Sequence, residues 1–168
     1  VVVTGAGRAF SAGMDLSVEG NVFGLNESLR PTLADMRERF DAPEIVHGVR
    51  DTGGRVVLAI HECMKPVIAA INGVAVGIGA TMTLPMDVRL AAEGTRMGFV
   101  FGRLGIVPEA CSSWFLPRLV GLQQALEWCY TADVFDVAEA ARAGLVKAVV
   151  PAERLLEEAY HLAHRFID

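Results

Sequence analysis

The sequence predicts an α/β fold in a single domain spanning residues 1–168. Three observations carry this expectation. Short β-branched runs alternate along the whole chain with stretches whose apolar residues recur at helical spacing. Glycine, asparagine or proline closes nearly every run, which separates the elements cleanly. With 168 residues, 52% of them hydrophobic, the chain is also long enough to bury a full-sized core. No internal repeat is visible.

In order, Val1-Val2-Val3-Thr4 reads as a buried strand and Gly5-Ala6-Gly7 as its turn. Residues 16–26 are polar and glycine-bearing, a loop. Leu29, Leu33, Met36 and Phe40 recur at helical spacing. Residues 41–50 read as a second loop. Asp51 can cap a helix whose inner face is Val56, Val57, Ile60 and Met64, and Lys65-Pro66 stops it. Residues 67–71 are a buried strand and Asn72-Gly73 a turn. Residues 74–76 lead through Gly77-Ile78-Gly79 into a short helical stretch ending near Leu84. Strands follow at 88–92 and 97–99, with a turn at Glu93-Gly94-Thr95. Helices are expected from Glu109 to Leu119, closed by Gly121, and from Leu122 to Cys129. Asp136 with Glu139 has the spacing of a capping box, and Gly144 ends that helix. Residues 145–150 form a strand, and Pro151 heads a last helix. The start inside a strand and the final helix running off the end suggest a chain incomplete at both ends.

Composition excludes several classes. Hydrophobicity is too high and charge, at 21%, too low for disorder. A formal net charge of −5 argues against a nucleic-acid-binding face. Three cysteines, Cys63, Cys111 and Cys129, make no disulfide framework and point to a reducing, cytoplasmic setting. No apolar run reaches membrane-spanning length and no secretory signal is visible, so no membrane partner is expected. His161 and His164 lack further ligands for a metal site, and His47 and His61 read as solvated. Ser112 and Ser113 lack the glycine elbow of serine hydrolases. Trp114 and Phe115 read as core or pocket lining, and Met82 and Met86 as core filler.

Three segments carry candidate chemistry. The first, residues 1–7, imitates a dinucleotide-binding turn, but the third glycine of that fingerprint is replaced by Phe10. The second is a pair, residues 11–15 and 73–79, each placed after a strand and rich in small residues. They are either ordinary tight turns or two backbone sites that aim N–H groups at one oxyanion. The third surrounds Glu109, the only carboxylate between Gly94 and Trp114. Desolvated there, it would have a raised pKa and serve as a proton shuttle; at a helix N-terminus, it would simply complement the dipole.

Taken in series, these and other pieces resemble the crotonase superfamily, the enoyl-CoA hydratase/isomerase family. The matching motifs are Val3-Thr4-Gly5 with residues 8–16, Lys65-Pro66 through Gly73, Gly77-Ile78-Gly79, residues 87–91, Gly98-Phe99, Gly105-Ile106-Val107-Pro108 and residues 138–146. The resemblance implies a crotonase-like spiral of ββα units, lacking here some N-terminal strands and C-terminal helices. It implies an acyl-CoA thioester as substrate, no cofactor beyond the coenzyme A carried by that substrate, no metal, a role in fatty acid metabolism, and homotrimers or hexamers.

By position, Met14 and Ile78 would supply the oxyanion N–H groups. Arg8, Ala12, Gly13, Asp15, Leu16, Gly77, Gly79 and Pro108 would contact substrate or coenzyme A, with Arg8 equally readable as solvated surface. The two glutamates of the hydratases fall here on Thr81 and near Phe101, neither of which is a general base at neutral pH. Instead, Pro108-Glu109-Ala110-Cys111-Ser112-Ser113 resembles the Pro-Glu-Gly-Cys-Ser-Ser segment of single-glutamate Δ3,Δ2-enoyl-CoA isomerases. Glu109 is therefore the expected catalytic residue, moving a proton from C2 to C4. Hydration of a 2-enoyl-CoA and non-catalytic acyl-CoA binding are the alternatives.

Overall fold

A computed structural model of the chain describes residues 1–15, 17 and 23–167. Its strands come in consecutive pairs: β1 (Val2–Thr4) with β2 (Ala9–Ser11), β3 (Ile68–Ile71) with β4 (Val74–Val76), and β5 (Val88–Ala92) with β6 (Arg96–Gly98). The first strand of each pair enters one sheet, ordered β1-β3-β5, and the second enters another, ordered β2-β4-β6. Neighbours within these runs are all parallel. Helices follow each pair: α1 (Leu33–Glu38), α2 (Pro43–Gly48) and α3 (Thr52–His61), then α4 (Ile78–Thr81), then α5 (Phe101–Leu104), α6 (Ser112–Val120) and α7 (Leu122–Thr131). The expected coil of ββα turns is thus present. β7 (Val134–Asp136) closes the second sheet antiparallel to β6. After α8 (Val137–Arg142), β8 (Ala148–Val150) closes the first sheet beside β5, and α9 (Leu155–His164) follows.

The first sheet is covered on both faces, which explains why its strands are apolar at nearly every position, Thr4 and Arg89 excepted. Ala69, Ile71 and Ala91 join the main core with Met97, Phe99, Leu116 and Trp128. Ile68, Ala70, Leu90 and Ala92 pack on the other side against Leu155 and Ala159 of α9. Two polar side chains pin the coil. Arg89, 7% exposed, donates Nε to the Leu145 carbonyl at 2.7 Å and one terminal nitrogen to the Met86 carbonyl at 2.6 Å. Asn72 accepts the Gly5 N–H at 3.0 Å and donates to the Gly7 carbonyl at 2.8 Å, stacking the turn between β3 and β4 on the one between β1 and β2. Against β4, β2 carries a register shift: Ala9 faces Val74 and Ser11 faces Ala75, so Phe10 is an extra residue, a bulge.

Several elements differ from the sequence expectation. The helix expected from Leu29 begins only at Leu33, because Pro31 interrupts it and Thr32 caps it reciprocally with Asp35. Residues 41–50 hold α2 rather than a loop, with Pro43 at its first turn and Ile45 buried. In α3, Gly53, Gly54 and Val57 face inward with Ile60 beside them, while Val56 and the more distant Met64 are exposed. The inner face is set by the close approach of the two glycines, not by the densest apolar run. β2, α5 and β7, of three or four residues each, are additions to the expected list. The last strand is confined to 148–150, and a 3₁₀ turn (Ala152–Arg154) separates Pro151 from α9. Trp114 is neither core nor pocket: it is 57% exposed, with the Arg118 guanidinium 3.3 Å from its ring centroid. The capping box at Asp136 is half-formed. Asp136 accepts the Glu139 N–H at 2.8 Å, but the Glu139 carboxylate accepts Trp128 Nε1–H at 2.6 Å instead.

Candidate active site

The turn after each second strand delivers one part of the site. After β2 the chain runs through Ala12 and Gly13 to Met14. After β4 it turns at Gly77, whose φ of 58° suits glycine, and Ile78 opens α4. After β6, α5 ends at Gly105 in the left-handed region and the chain runs through Ile106 to Glu109. Ala12, Gly13, Met14, Gly77, Ile78 and Glu109 line one open cleft of about 600 Å³, walled by apolar residues that include Val100, Phe101 and Ile106. Neither the Met14 nor the Ile78 amide has an acceptor among the described residues. Both are candidates to receive one from a ligand.

Glu109 precedes α6 instead of starting it. Ala110 and Cys111 both have positive φ, 49° and 55°, so the helix cannot begin before Ser112. Two consecutive non-glycine residues there store about 1–3 kcal/mol each. Ser112 compensates by donating both its N–H, at 2.9 Å, and its hydroxyl, at 2.5 Å, to the Glu109 carbonyl. The dipole reading of Glu109 thus gives way to a carboxylate held in a loop and turned into the cleft. Thr81 Oγ1 donates to Glu109 Oε1 at 3.0 Å. A Cβ on Gly53 would lie 2.8 Å from Glu109 Oε2 and 3.0 Å from Asp51 Oδ1, so a larger residue there would have to displace these side-chain ends. Burial pushes the Glu109 carboxyl up to about 6; the Asp51 charge adds to this and the Thr81 hydroxyl opposes it.

The other candidates lie elsewhere. Pro108 lines an adjoining hollow that Glu109 shares with Asp51. A Cβ on Gly79 would fall 2.2 Å from the Ser11 carbonyl, so its small size serves the packing of α4 on β2. Arg8 is exposed in the turn between β1 and β2, and Asp15 is exposed, accepting the Ser17 N–H at 2.9 Å. Leu16 lies outside the described residues. Thr81 is buried against Glu109 and Phe101 lines the cleft, so both positions where the hydratase carboxylates were expected do border the site. Sequence reading missed Asp51 as a neighbour of Glu109. Its only visible signal was that of a helix cap, and it does cap α3, accepting the Gly54 N–H at 2.6 Å.

A coiled stack of ββα turns, with free backbone amides and the half-buried Glu109 around a cleft, defines an α/β protein of the crotonase fold. Residues 32–168 match the enoyl-CoA hydratase/isomerase family, and the chain belongs to that family. It is 43% identical over 164 residues to an enoyl-CoA hydratase of Alternaria alternata, covering 97% of this chain and 49% of that relative. Among solved structures, an enoyl-CoA hydratase from Bacillus anthracis matches with a TM-score of 0.77 and 34% identity, over 98% of this chain and 57% of that one. A monofunctional enoyl CoA isomerase from M. smegmatis matches with a TM-score of 0.62 and 38% identity, over 67% of this chain and 53% of that one. The chain spans about half the length of the curated relatives it matches.

Proposed function

We propose that the protein is an enoyl-CoA isomerase. Its substrate is a 3-enoyl-CoA thioester, whose carbonyl oxygen sits between the Met14 and Ile78 amides with the acyl chain in the apolar cleft. Ala12 and Gly13 let the thioester approach the main chain, and the coenzyme A moiety runs along residues 12–16, with Arg8 toward a phosphate. Glu109 removes a proton from C2, and the electron pair moves onto the thioester oxygen as a dienolate. The protonated Glu109 then returns the proton to C4, leaving the double bond between C2 and C3. No water is consumed, so one carboxylate suffices. Oxyanion donors of this kind contribute about 3–4 kcal/mol of transition-state stabilisation each.

One observation carries this reading: among the described residues Glu109 is the sole acid lining the cleft, and it is a base poised near 6. Another favours hydration of a 2-enoyl-CoA as the alternative. Asp51 shares the adjoining hollow with Glu109, which brings a second carboxylate close to the first. The deciding experiment compares 3-enoyl and 2-enoyl thioesters on the full-length protein and on Glu109→Gln. Isomerisation is expected to exceed hydration in the parent. The variant is expected to bind acyl-CoA normally while turnover falls about 10²–10⁴-fold. Faster hydration than isomerisation in the parent, or unchanged turnover in the variant, would overturn the assignment.

A further inference from the structure

Thr81 is fully buried at the end of α4, the helix that Ile78 opens. Helical threonines in a dry setting ordinarily return their hydroxyl to a carbonyl of the preceding turn. Thr83, buried in the turn after α4, and Thr131, exposed at the end of α7, both make such bonds, donating to the Ala80 carbonyl at 2.7 Å and the Glu127 carbonyl at 2.9 Å. Thr81 departs from that habit, sending its hydroxyl across the fold to Glu109 Oε1 at 3.0 Å. The other carboxylate oxygen lies beside α3, in space left open because Gly53 has no Cβ. Glu109 is therefore bonded from α4 and has α3 beside it, although its own backbone lies in a loop.

We propose that Thr81 is a positioning residue for Glu109, orienting its carboxylate in the cleft and staying bonded to it as the proton comes and goes. This rests on the reading of Glu109 as the proton-moving group. A hydroxyl suits the task because it donates to a carboxylate and, by rotating, accepts from a carboxylic acid. A Val side chain of the same shape could do neither.

The bond also governs ionisation. Among the described residues, the titratable groups around Glu109 are Asp51 at the cap of α3 and Cys111 two residues on, with Arg50 acting on Cys111. Burial and Asp51 both disfavour the Glu109 anion, and Thr81 supplies the compensating donor. Losing one hydrogen bond to a charged group moves a carboxyl by about one pH unit. Without Thr81, about half of Glu109 would be protonated at pH 7, and that fraction could not begin the reaction.

The test is the pH profile of kcat/KM for 3-hexenoyl-CoA in the full-length protein and in Thr81→Val, Thr81→Ala and Thr81→Ser. If the parent only hydrates, the same profile is read on 2-hexenoyl-CoA. Thr81→Val and Thr81→Ala are expected to move the acid limb up by about one pH unit. Their kcat at pH 7 should fall about tenfold, with KM little changed. Thr81→Ser should restore both the limb and kcat. The Ala and Ser variants lack the same methyl group, so their difference reports the hydroxyl even if Val disturbs folding. A parent-like limb and kcat in Thr81→Ala would overturn the proposal. Glu109→Gln is the separate arm. If it is inactive while Thr81→Ala is parent-like, only the role of Thr81 falls. If Glu109→Gln stays active, the reading of Glu109 falls and that of Thr81 with it.

Discussion

Burial lifts the Glu109 carboxyl from 4.5 to about 6, so the folded protein favours its neutral form more than the unfolded chain does. That contribution to stability is fully present below pH 4.5 and is lost as the pH rises through about 6. Glu109→Gln, which cannot ionise, escapes the loss. Relative to the parent it is expected to gain about 1 kcal/mol between pH 4 and pH 8, after allowance for solvent screening. Urea denaturation of both proteins at the two pH values measures this, and a constant difference between them would refute it. At this scale, Glu109 was legible because an isolated carboxylate among small and apolar residues stands out. Its partners were not. Thr81 lies 28 residues away and Asp51 further still, and only the fold brings them together. The substitution of Ala110 for the glycine of the isomerase segment becomes informative once its φ of 49° is known.

Among the elements, α4 has the least freedom. It packs on β2 through Gly79, where a methyl group would overlap the Ser11 carbonyl at 2.2 Å. Since the clash is with backbone, no rotamer change relieves it. Gly79→Ala is expected to cost about 2 kcal/mol in urea unfolding. Turnover should fall further than stability predicts, because Ile78 and Thr81 move with the helix. A Gly79→Ala protein with parental midpoint and kcat would show that α4 gives way freely. The long buried strands were readable from their apolar runs, as was the helix capped by Asp51. The short elements were not. β2, with three half-buried residues, carries no clear alternation, and α2 buries only Ile45 and Gly48. The strand pattern of 88–92 gave no sign that the Arg89 guanidinium is buried and satisfies the carbonyls of Leu145 and Met86.

For the whole molecule, apolar side chains remain uncovered on α6 and α7: Trp114, Leu122, Leu126 and Tyr130. Large apolar side chains left exposed on neighbouring helices are candidates for an association surface. Sedimentation equilibrium of the full-length protein is expected to give a trimer or a multiple of it, and a monomer at micromolar concentration would refute this. The distribution of alternate strands into two sheets could not be read from hydrophobic periodicity, which reports one strand at a time. It came only from the family resemblance. The glycine turn of residues 5–7, so like a nucleotide-binding loop in sequence, proves to be a corner clamped by Asn72.

The bulge at Phe10 has a bearing on how this protein tolerates change. In the proposed reading, two amides share one oxygen at about 2.9 Å each, which at a near-tetrahedral angle sets them about one strand spacing, 4.8 Å, apart. Met14 and Ile78 follow the adjacent strands β2 and β4, so the ladder itself supplies that interval. Side chains at 14 and 78 can then drift through evolution with little consequence. Residue count cannot. Phe10 is already the unpaired residue of β2, so the count that matters runs from Ser11, opposite Ala75, to Met14. Deleting one residue there would draw Met14 back by about 3.3 Å, farther than a hydrogen bond stretches. Such a lineage would accept many substitutions here and very few insertions or deletions.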